Sequence, residues 1–289
     1  MNAHAETPIL GLGCRHYGLS TIHGPLLARE RQLDGLFLGW AERWGATEYR
    51  FPPFIAAHAL DRVGYFQSFP HLATFPVTLE AEPDNLDAFS ANPFKDTHAL
   101  ALQMLAPADH VVTPAACYHV YDELTGSALA DTCYITTRGT CCRHEQHYAQ
   151  LQRQWTFDMR EIVCIGSETA VENFLTTAAK RLDGLIENLG LDAAWRAATD
   201  PFFRPLQNPK FFLQKLAPVK RELLFRNRLA IASVNRHRDH FGKAFAITLQ
   251  GKPAHSACIA FGLERWLYAL AQTFGADPGS WPDLEAHDD

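Results

Sequence analysis

Residues 141–148 and 155–165 read as two strands joined by a short polar loop. This hairpin constrains the fold most, because strands joined so closely pair antiparallel. Residues 131–137, 229–234 and 244–249 read as further strands, the last rich in β-formers. The clearest helix runs over about 170–189, where Val171, Phe174, Leu175, Ala178, Leu182, Leu185, Ile186 and Leu189 recur at helical spacing. Thr169 and Glu172 make a capping-box pattern, and Gly190 stands where a C′ glycine belongs. A second amphipathic helix spans 28–44, with Leu33, Leu36, Phe37 and Trp40 on one stripe. A short strand over 49–54 follows, broken by Pro52 and Pro53, and a third helix spans 259–274. Strands outnumber long helices and are joined by hairpins. That predicts an α+β domain, an antiparallel β-sheet flanked by helices.

The 289 residues suffice for one large core and show no repeat or low-complexity linker, so a single domain over 1–289 is expected. No apolar run approaches the roughly 20 residues that cross a bilayer. Met1 to Pro8 lacks the basic-then-apolar pattern of a secretory signal. The seven cysteines include no CxxC pair, which fits a reducing compartment. A cytoplasmic protein with no membrane contact is expected. The net charge of −6 argues against a dedicated nucleic-acid surface. Between residues 210 and 243, however, Lys210, Lys215, Lys220, Arg221, Arg226, Arg228, Arg236, Arg238 and Lys243 face only Glu222 and Asp239. That stretch reads either as a solvated face with phosphate contacts or as a dock for an acidic partner. The acidic tail from about 277 reads as a frayed end.

The hairpin carries Arg143-His144-Glu145 and then Phe157 to Val163, and Gly262-Leu263-Glu264-Arg265 follows near the C-terminus. In this order the two stretches resemble motifs 2 and 3 of class II aminoacyl-tRNA synthetases. The resemblance implies that fold, a homodimer with the 28–44 helix in the place of motif 1, and adenylate formation from ATP. Adenylate formation needs the triphosphate bent and neutralised, the adenine held, and the substrate carboxylate in line with the α-phosphorus. Arg143 suits the α-phosphate and the carboxylate, because its planar fork fits both anions. Glu145 would accept from the adenine amino group, and Phe157 would stack under the base. Arg265 would cover the γ-phosphate or the other adenine face. Alone, an Arg-x-Glu is usually a surface ion pair and a Phe usually core.

The chain is closer still to the catalytic core of the atypical, zinc-dependent seryl-tRNA synthetases of methanogens, and to the bacterial amino acid:[carrier protein] ligases that share it. Cys117 in Pro-Ala-Ala-Cys-Tyr, Glu161 on the second hairpin strand and Cys258 in His-Ser-Ala-Cys carry this resemblance. It implies a zinc site of Cys117, Glu161 and Cys258, with the fourth position open for the substrate's α-amino group. Spacing alone would not reveal such a site, since a lone cysteine is more often a small buried hydrophobe. The other cysteines, Cys14, Cys133, Cys141, Cys142 and Cys164, read as structural, and His144 is expected to point away from ATP. Ser233-Val234-Asn235 resembles the stretch lining the amino-acid pocket, with Ser233 and Asn235 as contacts. Where bacterial seryl enzymes carry a magnesium-holding Glu, this chain has Ala230. Glu222 is a possible replacement, and the Mg2+ ligands stay open.

The resemblance covers essentially the whole chain as a bare catalytic domain, with no RNA-gripping domain and therefore no tRNA expected. It implies a ligase that activates a small amino acid, glycine favoured over alanine, and passes it to the phosphopantetheine thiol of an acidic carrier protein. Two alternatives stay open: another acceptor, such as a tRNA or a free metabolite, and an inactive regulatory paralogue.

Overall fold

A computed structural model of the chain describes residues 12–15, 18–96, 98–216 and 218–284. The main sheet has seven strands: β1 (Thr47–Tyr49), β2 (Cys133–Cys142), β3 (Thr156–Gly166), β4 (Ala193–Ala198), β5 (Lys220–Phe225), β6 (Leu229–Arg238) and β7 (His255–Gly262). They lie in the order β1-β2-β3-β7-β6-β5-β4, and every neighbouring pair is antiparallel except β1 with β2. Six helices matter below: α1 (Gly24–Arg43), α2 (Cys117–Glu123), α3 (Glu168–Leu189), α4 (Pro209–Leu216), α5 (His240–Ala244) and α6 (Leu263–Phe274). This is the expected α+β plan.

Side chains alternate across a strand, so each strand serves two layers. On β3, Ile162 and Cys164 enter one core while Val163 and Ile165 enter the other. Helices α1, α3 and α6 cover the first face. There Phe37 of α1 stacks on Phe261 of β7 with ring centroids 3.7 Å apart, beside the buried Trp40 and Trp266. An ion network fastens α1 to the hairpin: Arg138 bonds Glu30, Asp34 and Asp158, while Arg160 bonds Asp34 and Glu48. The short α2 and α5 cover the second face, where Tyr121 stacks on Phe241 at 3.9 Å. Phe157, Met159 and Glu161 share the parity of Val163 and so belong to this second face.

Several expected boundaries move. The first hairpin strand is Cys133–Cys142, so 131–137 and the start of 141–148 are one element, and Arg143 begins the loop. Two consecutive prolines, which lack N–H donors, split 49–54 between Thr47–Tyr49 and Phe54–Ala56. Helix α3 starts before the expected box: Ser167 is the N-cap, its Oγ accepting from Ala170 N at 3.2 Å, while Gly190 ends the helix at φ 62° as expected. Residues 244–249 are mostly not a strand. The chain leaves α5, passes through Ala246 at φ 53°, and pairs only at Thr248–Leu249. The first part of 259–274 is strand, because β7 is paired on both sides through Phe261 and with β3 through Gly262, and α6 starts at Leu263.

The tail is not frayed as far as Leu284. Arg29 of α1 donates to the carbonyls of Pro278, Trp281 and Pro282 at 2.7–3.1 Å, and Trp281 and Leu284 are buried. Sequence reading passed over β4 and β5 altogether. The side chain of Cys14 lies outside those described.

Candidate active site

A cavity of about 640 Å³ opens on the second face of the sheet. Every residue singled out from the sequence lines it: Cys117, Arg143, Glu145, Phe157, Glu161, Glu222, Ser233, Asn235, Cys258 and Arg265. Strand register explains how residues far apart in the chain meet here. Glu161 of β3 lies opposite Ala260 of β7, and Cys258 lies opposite both Val163 of β3 and Asn235 of β6. Helix α2 then presents Cys117, whose N–H donates to Glu161 Oε1 at 3.1 Å.

At the metal end, ligand atoms of Cys117, Glu161 and Cys258 all lie within 4.8 Å of one another, and all three residues are buried. The hydrogen bond with Cys258, burial and Glu161 together push the Cys117 thiol well up. The hydrogen bond from Cys117 pulls Cys258 down, but burial and Glu161 keep it above the usual thiol range. Two thiols and a carboxylate thus converge in one buried cluster. Zinc bonded to sulfur at about 2.3 Å and to oxygen at about 2.0–2.2 Å fits that spacing and donor set. Asn235 Nδ2 donates to Cys258 Sγ at 3.4 Å and to Ser233 Oγ at 3.1 Å, so Asn235 supports a ligand directly. His237, with no role assigned from the sequence, stands behind Cys258 with Nε2 at 3.8 Å from Sγ. Burial lowers its pKa to about 3, so it is a neutral ring held through Nδ1 by Tyr121 and Ser256. His144 packs on Trp155 and is not part of this cluster.

At the other end, Arg143 Nε donates to Pro114 O at 2.8 Å, and its guanidinium carbon lies 5.1 Å from the centre of the Phe157 ring. Arg265 donates to Gln152 O at 2.8 Å and Ala230 O at 3.0 Å. Burial and the neighbouring Arg143 lower the Arg265 pKa to about 10. An anion between these two guanidiniums would reverse that strain. Glu145 pairs with Arg153 at 2.8 Å. Glu222 lies opposite Ser233 in register, which sets a carboxylate beside the strand where Ala230 stands, and it pairs with Lys220 at 3.1 Å.

Two features escaped sequence reading. Lys220 reaches Asp200 Oδ1 at 3.0 Å as well as Glu222, and Gln214 bonds Asp200 at 2.8 Å. This network lines the cavity near Arg143, with Tyr118 alongside. No local pattern pointed to it, since Asp200 and Lys220 meet only through the pairing of β4 with β5. The other is Glu264, which accepts from Asp158 N at 2.9 and 3.1 Å and so clamps the start of α6 to the strand bearing Phe157. Burial raises its pKa to about 8. A carboxyl raised on folding stabilises fully below its unfolded pKa, and that contribution fades as pH climbs toward 8. Thermal melts from pH 5 to 9 should therefore show the protein losing stability relative to Glu264→Gln as pH rises. Parallel curves would refute this.

A scan against protein-family models finds no match. Amino acid–[acyl-carrier-protein] ligase 1 of Bradyrhizobium diazoefficiens is 35% identical over 246 residues, covering 82% of this chain and 74% of that protein. The type-2 serine–tRNA ligase of Methanococcus maripaludis is 24% identical over 264 residues, 84% of this chain and 51% of that one. A crystal structure of M. kandleri SerRS with A. aeolicus tRNASec matches with a TM-score of 0.81 at 19% identity, over 96% of this chain and 57% of that one. The fold is that of the class II aminoacyl-tRNA synthetases. With that fold, and with more than a third of aligned residues shared over most of both chains, the protein belongs to the amino acid–[acyl-carrier-protein] ligase family.

Proposed function

We propose that the protein activates a small amino acid with ATP and passes it to the phosphopantetheine thiol of a carrier protein. The observation that carries this reading is one cavity holding both an arginine–phenylalanine end suited to ATP and a Cys–Cys–Glu end suited to zinc. In the first step a carboxylate oxygen of the amino acid attacks the α-phosphorus, and pyrophosphate leaves. Arg143 would hold the carboxylate and the α-phosphate, Phe157 would stack on the adenine, and Glu145 would accept from its amino group. Arg265 would neutralise the far phosphates, and Glu222 is the carboxylate offered to Mg2+. Bound zinc would supply a Lewis-acid anchor for the substrate amine, held by Cys117, Glu161 and Cys258. Ser233 and Asn235 would line the same pocket. In the second step the thiol sulfur bonds the acyl carbon, the bond to AMP breaks, AMP leaves with the electron pair, and the thiol proton passes to water.

A small substrate, glycine over alanine, is the choice that the family resemblance implies. A one-methyl difference is worth only about 1–3 kcal/mol. A cytoplasmic homodimer is part of this reading. No helix among the described residues is long and apolar enough to cross a membrane.

ATP–pyrophosphate exchange with each amino acid tests the first step, and labelled amino acid offered to holo-carrier protein or total tRNA tests the second. Exchange with glycine and label on the carrier are expected. Label on tRNA alone would move the acceptor. Exchange with no amino acid would favour the regulatory paralogue.

A further inference from the structure

Once the nucleotide and metal ends are assigned, one arm of the cavity is left over. Val63, Leu216 and Phe241 give it an apolar wall, and Lys210, Arg238 and His240 stand on it. Lys210 Nζ donates to Val63 O at 3.0 Å, a carbonyl that brings no counter-charge. Neither the Arg238 guanidinium nor the imidazole nitrogens of His240 have a hydrogen-bond or ion-pair partner among the described residues. Elsewhere in the basic stretch, Lys220 pairs with Asp200 and Glu222, Arg236 with Glu168 and Glu172, and Lys243 with Asp239. The stretch is therefore not one cationic face; Lys215, Arg221 and Arg226 lie over aromatic rings elsewhere, while Lys210 and Arg238, with the neighbouring His240, are the members that line this cavity without an ion pair among the described residues.

The backbone adds a second observation. Arg238 sits at φ 53°, in the left-handed region, where the register of β6 against β7 shifts between Arg236 and Arg238. A long side chain held there is strained, and such a bulge re-aims it. Lys210 and His240 line the same cavity, and burial and then the charge of Lys210 lower the His240 pKa against the opposing pull of Asp239. Facing donors without a counter-ion repel, and an anion between them turns repulsion into charge-assisted hydrogen bonds.

We infer that Lys210, Arg238 and His240 form a subsite for a phosphate group, namely the phosphate of the prosthetic arm on which a carrier protein presents its thiol. The inference rests on the function proposed above. The phosphate sits at the cationic rim, the uncharged chain lies along the apolar wall, and the thiol points inward.

The test offers two minimal thiol acceptors, 4′-phosphopantetheine and pantetheine, which differ only by the phosphate. Wild type should form thioester with the phosphorylated thiol roughly tenfold or more faster at limiting acceptor. Lys210→Met/Arg238→Gln should bring the two acceptors within about twofold of each other, with ATP–pyrophosphate exchange unchanged. Arg238→Gln alone, at an exposed position, should lose part of the preference and carries the test should the double variant lose exchange. Normal exchange with no preference in wild type, or with the preference kept in the variants, overturns the subsite and leaves the proposed function standing. No exchange in wild type with any amino acid overturns both.

Discussion

Wild type is expected to purify with roughly one zinc per chain and Cys258→Ala without it, with ATP–pyrophosphate exchange in the variant reduced by about a thousandfold or more. The direction follows from the donor count. Cys117, Glu161 and Cys258 are the three metal-type ligands that converge in the cavity, and removing one leaves two. The magnitude follows from asking the ion for several kcal/mol of substrate orientation, at about 1.4 kcal/mol per factor of ten. Cys117→Ala should behave alike. Asn235→Ala removes an amide donor to the Cys258 sulfur and keeps all three ligands, so a loss of about 10–100-fold is expected. Elemental analysis and exchange kinetics on the same preparations check this. Full exchange by a Cys258→Ala protein, or by wild type stripped of metal, would end the zinc assignment.

Arg143→Ala should lower the exchange rate at saturating ATP by about 10²–10³, with little effect on the melting temperature. The guanidinium is anchored through Nε to Pro114 O, and its Nη2 meets only the Met159 sulfur at 4.0 Å, so no carboxylate among the described residues neutralises it at the cavity. Arg143→Lys should recover less than about tenfold of the loss, because an ammonium cannot grip carboxylate and phosphate bidentately. Stopped assays with both variants decide between a reacting-centre role and a merely structural one. A loss confined to the KM for ATP, with the rate at saturation intact, would put Arg143 on the nucleotide rather than at the reacting centre.

Legibility followed the range of the interactions. The hairpin, α1 and α3 were readable, because each depends on neighbours within a few residues; Arg143, Glu145, Phe157 and Arg265 were singled out by the family resemblance, and the fold brings them to one cavity. Boundaries failed where tertiary contacts overrode local signals. Ile259 to Phe261 continue a strand because β3 and β6 pair with β7 on both sides. Trp281 is buried because Arg29, far away in the chain, collects the carbonyls around it. The Lys220–Asp200–Glu222 network and the unneutralised Lys210, Arg238 and His240 were equally invisible. In the sequence Lys210, Lys220 and Arg238 belong to one undifferentiated positive run.

By itself the sequence determined the chemical repertoire and the alternation on each strand. Period two puts Phe157, Met159 and Glu161 on one face of β3 whatever the fold around them. Only the tertiary structure decided that β7 and β6 lie next to β3, and that α2 crosses this face. That order places Cys258, Asn235 and Cys117 against Glu161. The physical reason is that backbone geometry fixes spacing within an element, while strand order is set by burying two apolar faces at once under α1, α3 and α6 on one side and α2 and α5 on the other.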